Sequence, residues 1–207
     1  RLSIGGTVQH LVEMGSWVFL VRLMATFGSA AVAGHTVAMR IIIFTLLPAW
    51  GFSNATATLV GQSLGAEDPD RAERSVWISG RYATIFLGTV ALAFLFAPGP
   101  IAALFASGGA GTAIAADGLF VIAFGFVFYG WQMVSQQAFN GAGDTTTPAA
   151  VNAVCFWVLQ LPLAWALARP AGWGPLGVFV AVAISYSVAA MVSVLLVRRG
   201  TWKTVRV

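Results

Sequence analysis

The chain has little of what soluble chemistry draws on. A single cysteine, Cys155, excludes a disulfide within the 207 residues, and its place inside an apolar run reads as packing. Charged residues make up 9% of the sequence, against roughly a quarter in ordinary soluble domains. There is no glycine-rich loop ending in Lys-Ser or Lys-Thr to cradle a phosphate, no nucleophile elbow and no cysteine pair. An enzyme is therefore not expected, and neither is a soluble domain.

What is present is apolar. Hydrophobic residues make up 58% of the chain, with 23 glycines and 8 tryptophans, and the mean hydropathy is +0.85. Six long, nearly uncharged runs fill the sequence, approximately 4–27, 34–60, 75–97, 115–138, 148–168 and 174–198. Each reaches the ~20 apolar residues that carry a helix across ~30 Å of hydrocarbon, where only internal hydrogen bonds can satisfy the backbone. The expectation is an all-α polytopic membrane protein, with residues 1–207 forming one six-helix transmembrane unit and no extramembrane domain. No cleavable signal stands at the start, and the sequence begins at Arg1 rather than Met, so an upstream portion is expected.

The net charge of +4 does not point to nucleic acid, because the cations are dispersed at membrane ends and form no single face. Arg71 and Arg74 lie in the 61–74 loop, and Arg198, Arg199, Lys203 and Arg206 in the tail, with Arg1 before the first run. Loops 28–33 and 98–114 carry no cation, and the last turn carries Arg169. The positive-inside bias puts both termini and the 61–74 loop in the cytoplasm, in the plasma membrane. Arg22, Arg40 and Arg81 near run ends read as snorkelling anchors or structural pairs.

Turn chemistry divides the runs. Gly61 to Asp70 ends the second, and Asp70 with Glu73 is expected to cap the helix that follows. Pro98-Gly99-Pro100, the Asn140 to Pro148 stretch and the Arg169 to Pro175 stretch mark the later breaks. The second run, about 27 residues or roughly 40 Å of helix, exceeds the hydrocarbon and implies tilt or a bend, with Pro48 the hinge candidate. Pro162 can kink the fifth run, because proline removes a backbone donor and crowds the preceding turn.

Glu13 is the main chemical candidate. It lies roughly 13 Å from the inner end of its run by helix rise, too deep for easy snorkelling. A carboxyl group at that depth suits exchange of a proton for another cation. Gln9 at i−4 and His10 at i−3 share or flank its face, giving a candidate cation-coupling set of Glu13, Gln9 and His10. The alternative is a carboxylate satisfied within a helix pair. His10 and Glu13 also have a metal-pair spacing, but His35 is expected at the opposite membrane side, so no metal site is expected beyond a possible Na⁺ at Glu13.

Tyr129, Gln132, Gln136 and Asn140 recur every three or four residues on one face of the fourth run. Cavity lining and interhelical hydrogen bonding both account for such a stripe. With Asn152 and Gln160 in the fifth run, and Trp17, Phe44, Trp50 and Phe52 as aromatic surface, the cavity candidates are Tyr129, Gln132, Gln136, Asn152 and Trp50.

Several stretches, in order and spacing, resemble the multidrug and toxic compound extrusion (MATE) family. They are Ala33 to Arg40 (AGHTVAMR), Pro48 to Gly51 (PAWG), Thr58 to Ala66 (TLVGQSLGA) and Phe139 to Asp144 (FNGAGD). The resemblance covers nearly the whole chain. It implies one lobe of a twelve-helix transporter, helices seven to twelve, partnered by an N-terminal six-helix lobe of the same parent chain. The implied activity is export of organic, often cationic or amphipathic compounds in exchange for Na⁺ or H⁺, with substrate held between lobes that alternate access. No other cofactor is implied. In several branches an acid on helix seven carries the coupling ion, and Glu13 matches it. Some branches add an acid midway along helix ten, where this chain has Tyr129; the acid in that run is Asp117, near its outer end. Other branches place the coupling carboxylate in the first lobe. A flippase for a lipid-linked precursor and a non-transporting membrane scaffold are the rival readings.

Overall fold

The structure is a computed structural model that describes residues 2–106 and 108–204; the side chains of residues 2–6, 8, 10 and 204 lie outside the description. The chain forms α1 (Leu2–Ala25), α2 (Ser29–Gly65), α3 (Pro69–Phe96), a short α4 (Pro98–Phe105) and α5 (Ala110–Gly141). The fifth run begins as α6 (Thr146–Asn152), passes through a π-helical segment (Ala153–Gln160) and ends as α7 (Leu161–Ala168). Last come α8 (Pro175–Arg199) and a 3₁₀ turn (Thr201–Thr204). No strand occurs among the described residues. Among the described residues, five helices are long and apolar enough to cross a membrane: α2, α3, α5, the composite Thr146–Ala168 and α8. At 24 residues α1 has the length as well, and its polar residues Gln9 and Glu13 face the cavity described below.

Local chemistry sets the helix boundaries. Proline occupies the first turn of α3, α4 and α8, where its fixed φ suits a helix start and its missing N–H is no loss. Pro69 at the first position of α3 forces the cap one residue earlier, so the Asp68 carboxylate accepts from Arg71 N at 2.9 Å. The expected caps Asp70 and Glu73 lie inside the helix, and Glu73 pairs with Lys203 and accepts from Trp77 Nε1 instead. Asp144 holds the start of α6, accepting from Thr146 N at 3.2 Å and Thr147 N at 3.0 Å. Gly200 closes α8 at φ 73°, a left-handed conformation in which a Cβ would be strained.

The bundle is organised around α5, which packs against α2, α3 and α8. Small residues permit the approach, as they do between membrane helices generally. A Cβ on Gly125 would lie 3.2 Å from Ala183 Cα on α8, and one on Gly34 would meet the Gly111 carbonyl and Ile114 across the α2–α5 contact. Phe126, Phe156 and Phe179 fill the main core. A second core sits at the charged end, where Trp202 is fully buried with Phe139 and Val197 and donates to Val197 O at 2.9 Å.

The π-helical segment falls in the fifth run. Pro48 sits within the uninterrupted 37-residue α2, while the departure from α geometry precedes Pro162. Pro162 cannot donate to the carbonyl four residues back, and an i→i+5 register offers that carbonyl the next amide instead.

Candidate functional site

A cavity of about 870 Å³ opens between α1, α2, α5 and α8. Residues on one face of each helix form its wall. From α1 come Gln9, Glu13 and Trp17, four residues apart; from α2 come His35, Arg40, Trp50 and Asn54; from α5 come Tyr129, Gln132, Gln136 and Asn140; from α8 come Val182 and Tyr186. The stripe read on the fourth run is thus cavity wall, and Trp50 and Glu13 meet it in one space. The side chain of His10 lies outside the described residues.

Asn152 is not at the wall. It is fully buried behind it, accepting at Oδ1 a hydrogen bond from Gln132 Nε2 at 3.3 Å. The fifth run therefore supports the cavity from outside, because its Asn152 face packs against α5 and leaves no surface for a solute.

Two wall residues had other expectations. His35, not among the cavity candidates, lines the same cavity as Glu13; its ring, 4% exposed, stands 6.1 Å from Trp17 and 5.7 Å from Phe179. Arg40, read as an anchor, also lines the cavity. Tyr186 is an unforeseen wall residue: Tyr129 and Tyr186 lie with ring centroids 4.5 Å apart at 30°, and Phe156 backs Tyr186 at 4.7 Å.

The Glu13 carboxyl lies within electrostatic reach of both phenols, Tyr129 and Tyr186. Its helix is fixed nearby. Trp157 Nε1 donates to Val12 O at 2.8 Å, Ser16 Oγ donates to Glu13 O at 2.8 Å, and Gly15 leaves room for the Trp157 ring. On the opposite wall, Gln132 Nε2 also reaches Gln136 Oε1 at 3.4 Å, and Gln137 Nε2 bridges to Asn54 Oδ1 on α2 at 3.3 Å. His35 Nε2, Gln136 Nε2 and Asn140 Oδ1 are buried and make no hydrogen bond within the described protein. The wall thus offers aromatic faces, amide edges, the Glu13 carboxyl group and the Arg40 guanidinium.

Residues 7–166 match the model of the MatE family. A probable multidrug resistance protein NorM from Pseudomonas aeruginosa is 32% identical over 99% of this chain and 42% of its own length. A second, from Caulobacter vibrioides, is 26% identical over 98% of this chain and 43% of its own length. Among solved structures, a MOP superfamily transporter from Pyrococcus furiosus superimposes with a TM-score of 0.89 at 22% identity, covering 98% of this chain and 46% of that one. An outward-facing MATE family transporter gives 0.89 at 19% identity over 98% and 45%, and an inward-facing one 0.85 at 22% over 99% and 48%. At these identities the superpositions establish the fold alone. The chain spans less than half the length of the relatives it matches.

Proposed function

Since the chain belongs to the MatE family, we propose that it is the second six-helix lobe of a secondary active transporter, a carrier and not an enzyme. The carrier exports organic, often cationic or amphipathic compounds in exchange for Na⁺ or H⁺. It sits in the plasma membrane with both ends of this segment cytoplasmic, where Arg71, Arg74, Arg198 and Arg199 cluster. Its partner is an N-terminal six-helix lobe of the same parent chain, and the relatives' roughly doubled length supports that arrangement.

The observation that carries the reading is the convergence of Glu13 with Tyr129, Gln132, Gln136 and Trp50 on one cavity. In this reading, Glu13 and Gln9 offer oxygen ligands to a bound Na⁺, or Glu13 alone takes a proton. The cationic solute and the coupling ion then compete for a single negative charge, and that competition makes transport an exchange. Tyr129 and Tyr186 shield the carboxyl from water on one side. Because a lobe of this fold occurs in both outward- and inward-facing relatives, access alternates by rocking of lobes rather than by refolding within this one.

The test uses everted vesicles containing the full-length protein and a fluorescent organic cation. Under an imposed pH or Na⁺ gradient, wild type accumulates the dye and Glu13→Gln does not, while its folded yield is unchanged. Transport that survives Glu13→Gln places coupling in the other lobe.

A further inference from the structure

The charged end of the bundle holds a second cluster that the cavity does not use. Arg74, Trp77 and Arg81 stand at i, i+3 and i+7 on α3, hence on one helical face. From α8, the Arg198 guanidinium lies over the Trp77 ring, 5.4 Å from its centroid. Arg74 and Arg81 thus flank, along the helix, the indole over which Arg198 stands. The Glu73 carboxylate, which accepts from the Trp77 indole, is taken up by Lys203 and leaves their charge uncompensated. Asp70, one turn before Arg74, makes no ion pair with it among the described residues.

The surroundings of this cluster define what it faces. α3 buries Val76, Gly80, Ala83 and Leu87 against the bundle and contributes no residue to the cavity wall. On its outer side the arginines continue into a strip of large exposed apolar residues: Ile78 at 52%, Tyr82 at 60% and Ile85 at 66% exposure. In a chain that crosses a membrane, that strip meets acyl chains, with Arg74 before it and Arg81 within its first turns, near the headgroups.

We propose that Arg74, Arg81 and Arg198, gathered around Trp77, form a binding site for an anionic phospholipid. The phosphodiester lies between the guanidiniums, whose planar forks match phosphate oxygens, and the acyl chains run along Ile78 and Ile85. Trp77 fixes the orientation of Arg198 by stacking and places it opposite Arg81. The site ties α3 to the end of α8 through a lipid, outside the protein's own hydrogen bonds. It does not depend on the transport reading.

The test is native mass spectrometry on the full-length protein, released from mixed micelles holding equal amounts of phosphatidylglycerol and phosphatidylcholine. Wild type retains phosphatidylglycerol in preference. The Arg74→Gln, Arg81→Gln, Arg198→Gln triple variant falls to parity, and Arg169→Gln, in the turn between α7 and α8, keeps the wild-type preference. If the triple variant loses its helical circular dichroism, Arg81→Gln alone serves, since its side chain is exposed, and a partial loss is expected. Equal retention of both lipids by wild type, an undiminished preference in the variants, or loss of the preference on adding inorganic phosphate alone overturns the proposal.

Discussion

Trp157 donates its indole N–H to the backbone carbonyl of Val12 at 2.8 Å, across 145 residues of sequence. The bond fastens the π-helical segment of the fifth span to α1 one residue before Glu13. Phe19 adds an edge-on contact to the same ring at 5.4 Å, and Gly15 provides the gap in which the ring lies. The stretch of α1 that carries the candidate coupling carboxyl is therefore held by a residue on another helix that is not part of the cavity wall.

Replacing Trp157 by Phe removes the donor and keeps most of the ring. The expected loss is about 1 kcal/mol, the scale of interhelical hydrogen bonds in membranes, read as a lower midpoint in thermal unfolding in detergent. If the tether positions Glu13, the ion dependence of transport weakens together with the midpoint. A midpoint equal to wild type means that Phe19 and Gly15 suffice to hold the ring.

The pair Gln132 and Asn152 predicts a sign. Gln132→Leu leaves the buried Asn152 carbonyl without its donor, at a cost of about 1–3 kcal/mol, whereas the double change Gln132→Leu, Asn152→Leu recovers much of that loss. A double-mutant cycle on unfolding free energy measures the coupling. Additive losses rule out the contact as an energetic unit.

Close approach of α2 and α5 makes Gly141 sensitive. A Cβ there would run into the backbone of Ala57, and backbone cannot turn aside. Gly141→Ala is expected to destabilise by about 1–3 kcal/mol, as overpacked cores do. Gly51→Ala, on the same helix α2 with no atom near the added Cβ, is the control. Unfolding in detergent separates the two.

At the charged end, burial and charge make unequal contributions. Trp202 is fully buried, so Trp202→Ala is expected to cost about 3–5 kcal/mol. Lys203→Gln breaks only a partly exposed ion pair with Glu73 and is expected to cost less than about 1 kcal/mol, with the difference fading at high salt. Unfolding midpoints at low and high ionic strength check both.

Much of this architecture follows from the sequence by itself. Long uncharged runs can satisfy their backbone in hydrocarbon only as helices, so helix type was readable from composition along the chain, whereas α2 runs from Ser29 to Gly65, past both ends of its run, and α4 (Pro98–Phe105) lies in a stretch read as a loop. Periodicity also placed Tyr129, Gln132 and Gln136 on one face, because helical geometry fixes spacing without reference to neighbours. The caps were less legible: Asp68, Asp70 and Glu73 are chemically similar, and Pro69 selected Asp68 only through its position. Tertiary structure alone decided which faces turn toward the cavity and which lie behind it. Asn152 is polar and mid-span like Gln132, yet it supports the wall because its face packs on α5. His35 and Glu13 line one cavity although they come from different helices, because the α1–α2 packing that brings their faces together is a long-range contact with no local signature. A helix carries its own periodicity, but the direction of each face is set by the neighbours that bury the other side.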